Sequence, residues 1–161
     1  MLLAGDIGGT KTALGVYSLE KGPHTAVAEG EVHSADYPSL ESIVKEFLAR
    51  TGLIVDRACF GVAGPVMAGR AKITNLPWTV DQAAIARELD LKAVHLLNDL
   101  EATACAVPVL RSQDVESLSA GERSARILPF YKAAGSISAV SWHGSPGPPC
   151  NCSSWRSPAF A

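Results

Sequence analysis

From residue 123 to residue 161 the sequence contains no aspartate or glutamate, although the chain carries 16 acidic residues in all. From residue 127 onward, Lys132 and Arg156 are its only charges besides His143. The whole chain is also poor in charge: charged residues make up 19% of it and the formal net charge is -2. That leaves no basic field for nucleic acid and no polybasic patch for a membrane surface. Long apolar runs are missing as well, since each is cut by glycine or charge, so no segment reads as spanning a bilayer. The N-terminus, Met1-Leu2-Leu3-Ala4-Gly5-Asp6, lacks the basic start of a signal peptide and meets an acid at once. Cytoplasmic residence is the default expectation. Cysteines number four. Cys59 and Cys105 stand in apolar surroundings and are expected to be small buried hydrophobes. Cys150 and Cys152 lack the second pair or the histidines that a structural zinc site needs, so no metal is expected there. Asn151-Cys152-Ser153 matches a glycosylation pattern that a cytoplasmic chain would not use.

What is present suits one globular domain, since 161 residues at 47% hydrophobic can bury a core. Residues 1–5 read as an apolar strand and residues 12–19 as a second, joined by a turn at Gly8-Gly9. A third strand is expected over 24–33, after Lys21-Gly22-Pro23. Leu40, Ile43, Val44, Phe47 and Leu48 follow helical spacing and form one face of a helix that ends before Gly52. Arg57 to Val62 reads as a buried strand closed by Gly64-Pro65. A short hairpin is expected around Gly69, ending near Thr74. Asp81 to Leu89 reads as a helix with Asp81 near its N-cap. Val94 to Leu97 is a further buried strand. Asn98 or Asp99 then opens a helix running to about Val107, where Pro108 stops it. Three antiparallel strands followed by alternating helix and strand make an α/β domain, a mixed sheet with flanking helices. The periodicity then fades. From Ser136 there are seven serines and four prolines, and Gly144-Ser145-Pro146-Gly147-Pro148-Pro149 cannot hold a helix or a central strand.

Two stretches carry chemistry. In Gly5-Asp6-Ile7-Gly8-Gly9-Thr10, the glycines allow a tight turn with exposed N–H groups, an arrangement that binds phosphate. Thr10 adds a hydroxyl, and Asp6 beside the turn could hold Mg²⁺ through water. The segment from Gly5 to Thr12 also approximates a Walker A loop, but it leads into a strand where that loop must open a helix. An ordinary Gly-Gly hairpin remains a third reading. The second stretch is Leu96-Leu97-Asn98-Asp99-Leu100-Glu101-Ala102-Thr103-Ala104, where a buried strand gives way to a helix. Ligands of open α/β sheets bind outside the carboxyl ends of the strands. A carboxylate there can take a proton from a substrate hydroxyl while the neighbouring amide grips another. Asn and Asp are also preferred N-caps, so the pair can equally be a cap. Between these stretches, Thr74-Asn75-Leu76-Pro77-Trp78 could border a sugar site through Asn75 and Trp78. For Trp78 the structural reading is favoured, a turn pinned by a packed indole.

Taken in order with Gly61-Val62-Ala63-Gly64-Pro65-Val66, these stretches resemble the bacterial glucokinases of the actin-like, hexokinase-type sugar kinase superfamily, over about residues 1–121. The resemblance implies a ribonuclease-H-like (actin-like ATPase) domain and phosphoryl transfer from ATP to the 6-hydroxyl of glucose. Gly5, Asp6, Ile7, Gly8, Gly9 and Thr10 would form the first phosphate loop, with Asp6 near Mg²⁺. Asn98 and Asp99 would bind the glucose hydroxyls, with Asn75 bordering the sugar, and Asp99 would be the general base. Glucose and ATP are the implied partners, and a homodimer is the expected assembly of full-length members. Two other readings are a non-catalytic sugar- or nucleotide-binding domain, and an unrelated α/β domain in which Asp6 and Asp99 lie far apart.

Beyond Glu122 the family pattern would continue to a second loop of the type Gly-Thr-Gly-Leu-Gly, a sugar-binding Glu and His, and an adenosine pocket. None of these is present in this sequence. Residues 122–161 are therefore expected to be a tail foreign to the family, disordered or out of frame. The chain by itself is expected to lack useful kinase activity, because phosphoryl transfer depends on positioning groups it does not contain. Translating the underlying DNA in the other two frames should recover a Gly-Thr-Gly-x-Gly loop soon after position 122. Its absence from both frames would remove the frame-change explanation.

Overall fold

The computed structural model describes residues 1–116, 131–133 and 136–138. It divides into two compact units, Met1–Asp99 and Leu100–Ala161. The first unit is built on a five-stranded sheet of order β3-β2-β1-β4-β8. Its strands are β1 (Leu2–Ile7), β2 (Lys11–Tyr17), β3 (Ala28–His33), β4 (Arg57–Val62) and β8 (Ala93–Asn98). The β1–β2 and β2–β3 pairs are antiparallel, whereas β1–β4 and β4–β8 are parallel. Three short strands, β5 (Val66–Met67), β6 (Arg70–Lys72) and β7 (Thr79–Asp81), form a second sheet between β4 and β8 in the chain.

Register decides which side chains form the core. Leu3, Ile7, Leu14, Val16, Phe60, Val62, Val94 and Leu96 fall on one face of the sheet and all are buried. Helix α1 (Leu40–Thr51) contributes Leu40, Ile43, Val44 and Phe47 to the same core. Its ends follow the capping rules. The Ser39 hydroxyl accepts from the Ser42 N–H at 3.4 Å, and Gly52, at φ 66°, closes the helix by donating to Leu48. Helix α2 (Gln82–Glu88) is capped by Asp81, whose carboxylate accepts from Ala83 and Ala84. Trp78, 4% exposed, packs into this core with Ile73 and Leu76, as a pinned turn requires.

Gly5 lies within β1 and faces the core. A Cβ at this position would stand 2.7 Å from Phe60 Cδ1 and 2.8 Å from Leu14 Cδ2. The missing side chain is thus the space that the Phe60 ring fills.

The structure departs from the sequence expectations in a few places. The third strand begins at Ala28 instead of residue 24, because the chain turns through Ser18 to Gly22 and rejoins the sheet only where Val27 donates to Val16. Strand β7 was not anticipated, since three residues give no usable period. Cys59 is half-buried, not buried: in register with Ala4 and His95, it lies on the opposite face of the sheet from Phe60. Cys105 is half-buried as well.

In the second unit, helix α3, which spans Asp99–Ala106, ends where Pro108 enters a 3-10 turn, Val107–Val109. Strands β9 (Tyr131–Ala133) and β10 (Ser136–Ser138) pair antiparallel. The remainder of the expected tail, with Cys150 and Cys152, lies outside the described residues. Among the described residues no helix is long and apolar enough to cross a membrane.

The Gly5 notch makes a prediction for urea unfolding. Gly5→Ala should cost about 1–3 kcal/mol through overpacking. Combining it with Phe60→Leu should lose less than the sum of the two single changes, because the smaller side chain vacates the space. Additive losses would show that the Phe60 contact is not the reason for glycine here.

Candidate functional site

The three parallel strands end together. Ile7 of β1, Val62 of β4 and Asn98 of β8 are in register, so the residues that follow them emerge along one edge of the sheet. After β1 the chain reverses at once. Gly8 donates to the Lys11 carbonyl at 3.0 Å, which leaves Gly9 and Thr10 as a two-residue loop leading into β2. Neither Gly8 nor Gly9 has a positive φ; among the described glycines Gly22, Gly52 and Gly69 do. Clearance, not backbone dihedral, is therefore the reason for glycine. A Cβ on Gly8 would come within 2.9 Å of the Lys11 oxygen, and one on Gly9 would overlap the Thr74 carbonyl oxygen.

The loop after β4 is tied to both neighbours. Ala63 donates to the Ile7 carbonyl at 3.1 Å. Thr74 returns two bonds to the Ala63 carbonyl, from its N–H at 3.2 Å and its hydroxyl at 3.0 Å. The Asn98 side-chain amide donates to the Gly64 carbonyl at 2.9 Å. Asn75 follows Thr74 with φ 65°, a left-handed conformation that asparagine tolerates. Its Cβ lies only 3.4 Å from where a Cβ of Gly9 would stand. The four stretches singled out in the sequence thus touch in space: the glycine turn rests on Thr74, Thr74 hooks onto Ala63, and Asn98 holds Gly64.

Within the turn the donors differ in what they do. The Gly8 N–H is spent on Lys11, and Gly8 is therefore part of the frame. No described residue bonds the N–H groups of Gly9 and Thr10. Gly5 and Ile7 face the core, so they can offer a ligand only backbone atoms, and the Ile7 carbonyl is already taken by Ala63. Two residues behind the turn escaped sequence reasoning. Ser34, in the 3-10 turn Ser34–Asp36 that follows β3, and Thr12 of β2 are the buried polar side chains of the core, each 0% exposed. The Ser34 hydroxyl donates to the Gly8 carbonyl at 2.9 Å and lies 3.0 Å from the Thr12 hydroxyl. Ser34 belongs to no recognisable motif, and only its burial reveals it.

Asp6 alternates away from Gly5 and Ile7 and stands at the same strand edge as Asp99. Partial desolvation pushes the Asp6 carboxyl above its ordinary value, and the negative charge of Asp99 pushes it further. Both carboxylates stand at the same end of the parallel strands, β1 and β8 being separated only by β4.

A raised carboxyl pKa has a definite sign. Above the folded value Asp6 is ionised at a cost the unfolded chain does not bear, so this contribution opposes folding at neutral pH and disappears as pH falls through that value. NMR titration should place the Asp6 midpoint above 3.8. Asp99→Asn should move it down, and Asp6→Asn should raise thermal stability at pH 7 but not at pH 3. A midpoint unchanged by Asp99→Asn would mean the two charges do not interact.

Comparison with known proteins agrees with this geometry. The glucokinase family model matches residues 3–135. A glucokinase of Nostoc punctiforme is 42% identical over 125 residues, covering 76% of this chain and 36% of that protein. One from Psychromonas ingrahamii is 34% identical over 133 residues, covering 81% of this chain and 40% of its own. The crystal structure of a glucokinase from an Antarctic psychrotroph aligns with a TM-score of 0.68 at 25% identity, over 89% of this chain and 50% of that one. This chain therefore spans little more than a third of the length of the curated relatives it matches. The mixed sheet with its flanking helices is the ribonuclease-H-like, actin-like ATPase fold, and the chain belongs to the glucokinase family.

Proposed function

We propose that these residues supply the first phosphate turn and the general base of an ATP-dependent glucokinase, which moves the γ-phosphoryl group of ATP to the 6-hydroxyl of glucose at the entry to glycolysis. The observation that carries the reading is the placement of Asp6 and Asp99 at one end of the parallel strands, beside a turn with two uncommitted amides. The names of the relatives support it, since the proteins matched at 42% and 34% identity are glucokinases.

Each residue has a role in this reading. The Gly9 and Thr10 amides and the Thr10 hydroxyl receive phosphate oxygens, because bare backbone lets an anion approach closely. Asp99 accepts the proton of the 6-hydroxyl as that oxygen attacks phosphorus. Asn98 bonds a neighbouring sugar hydroxyl with the capacity left after its bond to Gly64, and Asn75 borders the sugar. Gly5, Ile7 and Gly8 shape the turn without touching substrate through side chains. The donor set fits Mg²⁺, since one half-exposed carboxylate suffices for an ion that keeps most of its water. Asp6 would hold that water shell, and the bound ion would neutralise phosphate charge. Cytoplasmic residence, the 1–121 extent of the kinase-like part, and a homodimer of the full-length enzyme belong to the same reading.

Chemical-shift mapping tests it directly. Millimolar glucose should shift the side-chain amides of Asn98 and Asn75, and Mg·ATP should shift the backbone amides of Gly9 and Thr10. Asp99→Asn should leave the unfolding temperature nearly unchanged and weaken glucose binding by about 10-fold or more, as expected for a hydrogen bond to a charged group. Wherever turnover is measurable, the same change should cost about 10²–10⁴-fold. If neither ligand shifts these residues, the reading is wrong.

A further inference from the structure

Ser34 makes three contacts that all converge on the glycine turn. Its backbone N–H donates to the Thr10 carbonyl at 2.8 Å. Its hydroxyl donates to the Gly8 carbonyl at 2.9 Å. The same hydroxyl lies 3.0 Å from Thr12 Oγ1. A serine hydroxyl has one proton, and here that proton goes to Gly8, so Thr12 must be the donor in the third bond. The result is a directed chain, from the Thr12 hydroxyl to the Ser34 hydroxyl to the Gly8 carbonyl, in which each bond polarises the next. Both hydroxyls are fully buried, so no water can substitute for a lost partner.

The consequence lies in the direction of the amides. The loop between Gly8 and Lys11 has three carbonyls, those of Gly8, Gly9 and Thr10, and Ser34 holds the first and the last. Since peptide units are planar, fixing the Gly8 carbonyl fixes the Gly9 N–H on the other side of the same unit. Thr74, pressed against Gly9, keeps the loop from moving the other way.

We propose that Ser34, backed by Thr12, is the positioning residue of the phosphate turn, setting the direction of the Gly9 amide and holding the peptide units on either side of the one that carries the Thr10 amide. This assignment rests on the functional reading above and adds to it two residues from outside the glycine motif. Ser34 touches no substrate; it acts through Gly8 and Thr10.

The test combines hydrogen exchange with ligand binding, using the full chain and the variants Ser34→Ala, Thr12→Val and Thr12→Ser. In Ser34→Ala and Thr12→Val the Gly8 amide should exchange at least tenfold faster, while amides of Leu3 and Phe60 keep their wild-type rates. The Kd for Mg·ATP, read from Gly9 and Thr10 shifts, should rise tenfold or more, and the Kd for glucose, read at Asn98, should change less than twofold. Thr12→Ser, which keeps the hydroxyl, should restore both. A Ser34→Ala protein that binds Mg·ATP as the wild type does, or that weakens ATP and glucose binding equally, would overturn the positioning role. If wild-type protein shows no ATP-induced shift at Gly9 and Thr10, the phosphate reading of the turn fails first and the assignment falls with it.

Discussion

Everything at the site depends on the parallel pairing of β4 with both β1 and β8. That pairing puts Ile7, Val62 and Asn98 on one line across the sheet, so three separate chain segments leave it at one edge. A parallel ladder of this kind needs its strands buried, and Phe60 and Val62 in the central strand are fully so. The register is not free to slip. A shift of one residue would turn Phe60 to the half-covered face and move Cys59 into the place opposite Gly5. Packing of an aromatic ring against a glycine in β1 therefore sets where Asp6, Gly64 and Asn98 end up.

Polar contacts then tie the segments to one another. Ala63 reads the end of β1, Thr74 reads Ala63, and Asn98 reads Gly64. Most of these bonds involve backbone atoms, which fits the composition of the motifs: small residues and turns, with few large side chains. Asp6 and Asp99 stand at the end of this arrangement, and burial first, then the charge of Asp99, raises the pKa of Asp6.

Much of this was legible in the sequence, and the reasons differ by element. Helix α1 was clear because its apolar stripe, Ser39 and Gly52 all agree. Strands β1 and β4 were clear as apolar runs ending at glycine. The four stretches stand out by their order, and the structure brings them together in space. What the sequence could not convey was why particular residues are there. Gly8 and Gly9 look like residues chosen for an unusual backbone dihedral, yet they are glycine because carbonyl oxygens of Lys11 and Thr74 crowd them. Gly5 reads as part of a phosphate loop, and in the structure it also leaves the notch that Phe60 fills. Ser34 looked like nothing, because its partners, Gly8 in the turn before β2 and Thr12 in β2, are distant in sequence and only the antiparallel pairing of β2 with β3 brings them near.

The crowding of Gly9 against Thr74 has a thermodynamic meaning of its own. A loop pressed on one side by a carbonyl and tied on the other by a serine has few conformations to lose. An anion that settled on its amides would not first have to order them, so the entropy penalty of capture would be small and the bonds formed would count nearly in full toward affinity. The stiffness also limits adaptation. A ligand whose oxygens sat at the wrong spacing would meet a surface that cannot reshape around it, so a turn of this kind would select by geometry before any side chain took part.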